Sequence, residues 1–544
     1  MQDAVSPSSQ PLSPIPARFF GLASRVRAEF PTLSDCAVAT ASAALLVFSF
    51  PDFNLWPLAW LALVPLLLLV GRKPQTLRCF FLGWLFGSIF FYGSCYWLTY
   101  SMIHFGGIPT VFAFVLLLPG PVVMGIFPGI FAAVLARVVR RWGAAALFVA
   151  PLFWAALEWL RLEITGQLWN AIGYSQAYHP LLIQSATWGG VYAVGFIVVF
   201  VNAALTFALL KRNGKALVGS AIAIGIIFLA AMFLTKAARL NRRVWTSGEI
   251  AVSVVAIQPN VPMDLIKTTD ELAQLTERHF QMSEGALKTL PDNGQPRLLI
   301  WPESPMNFTY GTDSRLRERL AQFAKLHHTS VLLNSQEAAP NDGSFNSALL
   351  INEAGSLGAQ YDKIRLLPFG EYVPLPQWLP GAGLIKAIVG DFTQGTDYRL
   401  MPVGNERAGV FICIESAYPD IARRFTQEGS DVLINISNDG YLGPTAVMRQ
   451  HLANAVFRAV ENQRPLLRVT NSGITAFITP AGEVRDATRG FTPETRIWTI
   501  GRADAGSKFY RTFYTRHGDL FVIACACLSL LMFGLSFWQS SEKQ

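Results

Sequence analysis

The sequence predicts a multi-pass α-helical membrane domain joined to a large α/β domain, with one apolar helix returning after it. Three observations carry this. Of 544 residues, 52% are hydrophobic and only 15% are charged, against about 25% charged in an ordinary soluble domain. The deficit is concentrated in the first 235 or so residues and in a short stretch near the end. Residues 240–515 instead alternate short β-branched runs with amphipathic helical patterns, as an α/β domain with buried sheets requires.

Apolar runs recur at 37–51, 54–71, 79–100, 109–136, 143–160, 181–210, 216–235 and 518–538, and a spanning helix needs about 20 residues. The first run is short and ends at Pro51. The loops test the count. Arg72, Lys73 and Arg78 follow the second run, Arg137, Arg140 and Arg141 the fourth, and Lys211, Arg212 and Lys215 the sixth. Loops near Phe53, Met102–Gly107 and Arg161–His179 carry little positive charge. Every second loop is therefore basic, which places those loops in the cytoplasm. Eight spans with the N-terminus inside put the α/β domain on the outer face, which in a Gram-negative cell is the periplasm. The resulting division is 1–35 as a cytoplasmic tail, 36–239 as seven spans, 240–515 as the outer domain, and 516–544 as a last helix with a short cytoplasmic tail. The tail is Pro- and Ser-rich, then basic at Arg18, Arg25 and Arg27, without the apolar core and small-residue site of a cleaved signal. The net charge of +8 is spent on these loops, and no nucleic-acid module accompanies it.

In the outer domain the predicted strands are Val252–Ile257, Leu298–Trp301, Val331–Leu333, Ala348–Ile351, Gly409–Ile412, Val432–Ile436, Leu466–Thr470 and Thr475–Thr479, with helices over Asp270–Leu290 and Arg315–His327. The stretch Leu375–Val389 is apolar, rich in Pro and Gly, and too short to span. A long apolar loop of this kind reads as a lid touching lipid, the plainer alternative being a buried loop.

Of six cysteines, only Cys413 lies in this domain, so it has no partner for an internal disulfide, and no spacing suggests a metal or other cofactor. A free thiol is most often a small buried hydrophobe. Cys413, however, ends the apolar strand Gly409–Ile412, where α/β proteins bind ligands. A thiol attacks only once deprotonated, so a base or cation must stand close. Trp301-Pro302-Glu303 sets a carboxylate just past a strand, since Pro302 cannot extend a central ladder. Lys363 closes Tyr361-Asp362-Lys363 after a third strand, and Glu415 lies two residues beyond Cys413. An acid, a lysine and a thiol at strand ends make a nucleophilic set of base, oxyanion stabiliser and attacker. His451 is the rival base. His279, His327 and His328 sit in amphipathic helical segments.

Together these segments resemble the nitrilase (carbon–nitrogen hydrolase) superfamily. The resemblance runs through Gln258-Pro-Asn260, Trp301-Pro-Glu303, Phe345-Asn346-Ser347-Ala348, Tyr361-Asp-Lys363, Pro368-Phe-Gly-Glu371-Tyr-Val-Pro374, Cys413-Ile-Glu415, Asn435-Ile-Ser-Asn438-Asp439-Gly440, Arg464-Pro465 and Thr470-Asn-Ser-Gly473. Within that superfamily the chain is similar to the apolipoprotein N-acyltransferase family, which joins such a domain to eight membrane helices, one of them after the catalytic domain. The resemblance implies an α-β-β-α sandwich and a triad of Glu303 (base), Lys363 (oxyanion stabiliser) and Cys413 (nucleophile). It implies Glu371 and Glu415 as supporting acids, Ile414 as a supporting backbone position, and possible substrate contacts at Asn346, Asn438, Asp439, Tyr441, Trp378, Leu379 and Ile385. Two positions depart from the family: a tryptophan is replaced within Leu265-Ile266-Lys267, and the residue after the nucleophile, often tyrosine, is Ile414. Both bear on substrate contact.

The implied activity is transfer of a fatty acyl chain from a phosphatidylethanolamine-like phospholipid, through a Cys413 thioester, to the α-amine of the N-terminal diacylglyceryl-cysteine of a lipoprotein. No cofactor or metal is implied, and the expected state is a monomer in the bacterial inner membrane. Two other readings stand beside it. One is a membrane-tethered amidase hydrolysing a small C–N substrate with the same triad. The other is a transporter with a non-catalytic outer domain.

Overall fold

The computed structural model describes residues 30–246, 250–264, 267–340, 342–373, 392–501 and 511–538. Loop 375–389, with Trp378, Leu379 and Ile385, lies outside the described residues, as do Leu265 and Ile266.

The apolar runs fold as helices. α1 (Leu33–Ser49) opens on a capping box in which Thr32 and Asp35 satisfy each other's backbone amides, closing the orphan donors of the first turn. Then come α2 (Val64–Arg72), α3 (Thr76–Ser94), α4 (Thr110–Leu117), α5 (Ile126–Trp142), α6 (Ala150–Thr165), α7 (Ala186–Lys211) and α8 (Gly214–Thr246). Among the described residues, four helical stretches are long and apolar enough to cross a membrane: Thr76–Ser94, Thr110–Trp142, Ala144–Thr165 and Ala186–Lys211. Leu33–Ser49, Trp56–Arg72, Gly214–Ala230 and Leu520–Leu535 are shorter apolar helices. The run expected at 109–136 is not one smooth helix: it divides at Leu118 and Gly125, beside Pro119 and Pro121, which lack backbone donors. α3 and α5 touch backbone to backbone. A side chain at Gly87 would meet the Cα of Gly125 at 2.9 Å and Pro128 Cγ at 2.7 Å, the close approach that small residues permit between membrane helices. Arg78, one of the basic loop residues, turns inward and pairs with Asp35 at 2.7 Å, both largely buried.

The α/β domain holds two six-stranded sheets of mixed direction. The first has the order β12-β1-β2-β3-β4-β5 and the second β11-β10-β9-β8-β7-β6. The strands are β1 (Ile250–Gln258), β2 (Arg297–Ile300), β3 (Ser330–Ala338), β4 (Ser344–Ile351), β5 (Leu357–Asp362), β6 (Met401–Val403), β7 (Glu406–Ile412), β8 (Val432–Ser437), β9 (Leu466–Thr470), β10 (Ala476–Ile478), β11 (Val484–Arg485) and β12 (Glu494–Gly501). In each sheet a parallel trio, β1-β2-β3 or β7-β8-β9, lies at the centre with antiparallel strands outside.

Strand alternation assigns the layers. Val254, Ala256, Leu298, Ile300, Leu332 and Leu350 join the core shared with the second sheet. Their neighbours Val255, Ile257, Leu299, Val331 and Leu349 join a separate core beneath α9 (Thr269–Leu287) and α10 (Ser314–Leu326). The second sheet is covered by α11 (Pro419–Glu428) and α12 (Val447–Asn462), which completes a helix–sheet–sheet–helix stack. β5, β6, β11 and β12 were not among the expected strands. Tyr361 and Asp362, expected after a strand, are the last residues of β5.

α12 is buried over nearly its whole length because it lies between the second sheet and α7. Its polar residues face both ways. Gln450 Oε1 accepts from the indole N–H groups of Trp97 at 3.0 Å and Trp169 at 2.8 Å. Gln450 Nε2 donates to the carbonyls of Pro51 and Ser94, both at 3.0 Å. Glu461 pairs with Arg458 at 2.7 Å and accepts the Val191 amide at 3.1 Å. Val191 restarts α7 after a break at Gly189 and Gly190. Gly190 has φ +62° and ψ −163°, a region reserved for glycine. The chain closes with α13 (Leu520–Leu535), packed on α6 and α7.

Candidate active site

Three strand ends converge. Glu303 lies three residues beyond β2, Lys363 directly follows β5, and Cys413 directly follows β7. Lys363 Nζ is 2.8 Å from Glu371 Oε1 and 3.7 Å from Glu303 Oε1. Asn346, on β4, donates to both carboxylates, at 2.9 Å to Glu303 and 2.7 Å to Glu371. The other oxygen of Glu371 accepts the Leu367 amide at 2.8 Å. One ammonium and one amide thus hold both acids, the half-buried Glu303 and the buried Glu371. Glu303 Oε2 is buried and has no partner of hydrogen-bond geometry among the described residues. Cys413 and Glu303 are close enough to influence each other's ionisation.

Cys413 has φ +52°, uncommon for a residue with a side chain. It turns sharply from β7 into the 3₁₀ turn Cys413–Ala417, the strand–turn geometry that presents a nucleophile at a sheet end. Glu415 supports the turn from within. Its Oε1 accepts from the Tyr361 hydroxyl at 2.7 Å, the Ile364 amide at 2.7 Å and the Arg365 amide at 3.0 Å, and its Oε2 accepts the Ile412 amide at 2.7 Å. Both sides of the site, the Lys363 loop and the Cys413 turn, therefore hang on one carboxyl.

Burial sets the electrostatics. Loss of water raises the Glu303 pKa, with Lys363 opposing and Glu371 adding to the rise. Burial pulls Lys363 down, but Glu371 and Glu303 outweigh it and keep the ammonium charged. Burial, with the Glu303 charge behind it, pushes the Cys413 thiol up. Glu415 is raised to about 7, chiefly by burial and against its hydrogen bonds. A thiol held neutral thus stands beside an acid and a fixed cation. Such a set can move a proton from sulfur to Glu303 as the sulfur attacks, while Lys363 meets charge developing on the substrate oxygen.

The remaining expected residues divide. Asn346 is inside the cluster, as a bridge between acids. Ile414 is buried beside the nucleophile. Tyr441 is 44% exposed, and its pKa is raised by partial burial first and by the Glu303 charge second. Asn438 accepts the Gly440 amide at 3.1 Å and shapes its own loop. Asp439, expected at the substrate, is 2% exposed and committed to Arg468 at 2.9 Å and His451 at 2.7 Å. His451 meets the backbone carbonyl of Cys413 at 3.0 Å and Asp439 with its other nitrogen, so neither ring nitrogen is left to act as the base. His279 is buried against Trp301 in the other core. Among the described residues no group of His, Cys, Asp and Glu could hold a metal ion. The Asn346 bridge and the Tyr361–Glu415 bond escape a reading of sequence, because each depends on register between strands distant along the chain.

Comparison with known proteins agrees with this geometry at both ends of the chain. The sequence profile of the apolipoprotein N-acyltransferase N-terminal domain matches residues 42–204, and that of carbon-nitrogen hydrolase matches residues 252–508. An apolipoprotein N-acyltransferase of Geobacter metallireducens is 31% identical over 93% of this chain and 96% of its own length. One from Allorhizobium ampelinum is 31% identical over 74% of this chain and 76% of its own. One from Chromobacterium violaceum is 28% identical over 91% and 92%. The apolar helices and these relatives make this a membrane protein with a nitrilase-like catalytic domain. With the match running nearly end to end and the acid, lysine and cysteine standing together, the chain belongs to the apolipoprotein N-acyltransferase family.

Proposed function

We propose that this chain transfers a fatty acyl group from a phospholipid, through a thioester on Cys413, to the α-amine of a lipid-modified N-terminal cysteine on a lipoprotein. One observation carries the reading: the Glu303–Lys363–Cys413 cluster sits on a domain whose α12 is locked into apolar membrane helices. Glu303 takes the thiol proton, and the thiolate attacks the ester carbonyl of the phospholipid. Lys363 and the Ile414 amide hold the oxyanion. The intermediate collapses by breaking the ester C–O bond, and Glu303 returns the proton to the departing lysophospholipid oxygen. The amine then attacks the thioester, Glu303 receives its proton, and the sulfur leaves to be reprotonated. This is double-displacement chemistry in which the thioester keeps enough reactivity to form an amide unaided.

Membrane attachment follows from the substrates. Each acyl CH₂ moved into water costs about 0.8 kcal/mol, so the donor must be met at the bilayer. Eight spans, made of the four long helices and the four shorter apolar ones, set the catalytic domain on the periplasmic face of the inner membrane. The basic residues at the C-terminal ends of α2, α5 and α7 support this orientation. The enzyme acts as a monomer, with no cofactor.

Mass spectrometry of protein purified with phospholipid is expected to show a palmitate-sized adduct on Cys413 that a lipoprotein peptide discharges as an N-acylated product. An adduct on another residue, or none, defeats the acyl-enzyme. Discharge to free fatty acid in the presence of the peptide would instead favour hydrolysis.

A further inference from the structure

His451 lies outside the triad, yet it reaches the nucleophile's backbone. Its Nε2 is 3.0 Å from the carbonyl oxygen of Cys413. Its Nδ1 is 2.7 Å from Asp439 Oδ1, and Asp439 is clamped by Arg468 at 2.9 and 3.1 Å. All three side chains are buried, at 3%, 2% and 0% exposure. The carbonyl and the carboxylate are both acceptors, so the ring makes both contacts as bonds when each nitrogen carries a proton. Burial and then the Arg468 charge lower the ring's pKa, against the Asp439 charge and the bonds to Asp439 and the carbonyl. Asn435 Nδ2 is a second, longer donor to the same carbonyl, at 3.4 Å.

In a planar trans peptide the C=O and the following N–H point in opposite directions. Fixing the Cys413 carbonyl therefore fixes the Ile414 N–H. Donation to the carbonyl also polarises the unit and strengthens that N–H as a donor. Such restraint matters here because Cys413 holds φ +52°, uncommon for a residue with a side chain. We propose that His451 is a positioning residue that orients and polarises the Cys413–Ile414 peptide as an oxyanion donor, with Asp439 and Arg468 holding the ring. The proposal deepens the acyl-transfer reading and rests on it.

Two reactions of one sulfur separate this role from a general structural one. Acyl transfer from phosphatidylethanolamine develops an oxyanion. Alkylation of Cys413 by iodoacetamide displaces iodide and develops none. His451→Phe is expected to lower kcat for acyl transfer about 10- to 100-fold, with KM for phosphatidylethanolamine within threefold and the alkylation rate within threefold. His451→Gln, whose amide N–H can reach the carbonyl, should recover most of the lost kcat. Equal losses of acylation and alkylation in both variants, or unchanged acylation, would overturn the proposal. Should the Phe variant not fold, His451→Asn, with an amide too short to reach, replaces it under the same criteria. If wild-type protein itself forms no Cys413 adduct, the acyl-transfer reading fails instead.

Discussion

Glu303 works only when ionised, and burial makes ionisation harder. Its pKa is held above the ordinary 4.5, chiefly by loss of water. Below that pKa the acid already holds a proton and cannot accept another from sulfur. The rate of Cys413 acylation is therefore expected to fall tenfold per unit on the acid side, with the bend at a pH above 4.5. A pre-steady-state profile with the bend at or below 4.5 would contradict this. The sign for stability is opposite. A carboxyl whose folded pKa is raised stabilises the fold fully below 4.5, and that stabilisation is lost as pH rises through the folded value. The fold thus gives up some stability over the same interval in which the chemistry switches on. Glu303 and Cys413 were legible in the sequence because each follows an apolar strand, and strand ends face a shared crevice, whereas Lys363 follows the half-exposed β5 and stood out only through the Tyr361-Asp362-Lys363 run. The roles of Asp439 and His451 were not legible, because an aspartate beside an Asn and a Gly looks like a turn residue. Only the approach of Arg468 across the second sheet shows where its carboxylate points.

Elements show a similar division. Continuous apolar runs announced the central strands, since a strand buried on both faces has no polar alternation to confuse it. β6, with Pro402, and β11, with two residues, are too short or too polar to stand out. β12 alternates Arg496, Trp498 and Ile500 with exposed positions, and it takes its place by pairing with β1 from the far end of the domain. Among the helices, the contact of α3 with α5 depends on the absence of side chains at Gly83 and Gly87. Gly87→Val would drive a branched side chain into Pro128 and Gly125. A destabilisation of about 1–3 kcal/mol is expected from this overpacking, read as a lowered midpoint of thermal unfolding in detergent. An unchanged midpoint would show that the two helices are free to part.

For the whole molecule, the joint between the membrane and catalytic halves is polar where it is most buried. Gln450 bonds two indole N–H groups and two backbone carbonyls of the membrane half, of which the Trp97 N–H and the Ser94 carbonyl also bond each other. Gln450→Leu keeps the volume and removes every bond that the Gln450 amide makes. Each buried group left unsatisfied costs roughly 1–3 kcal/mol, so a clear fall in thermal midpoint is expected. A midpoint equal to wild type would show that water replaces the amide. The break in α7 carries a consequence for how the protein is made. Its second half begins at Val191, and the acid that accepts the Val191 amide, Glu461, stands 270 positions later. A ribosome working from the N-terminus therefore delivers α7 long before the carboxylate that completes it. The transmembrane bundle leaves the insertion machinery with one terminus still open. Its last bond is completed only once the catalytic half supplies Glu461.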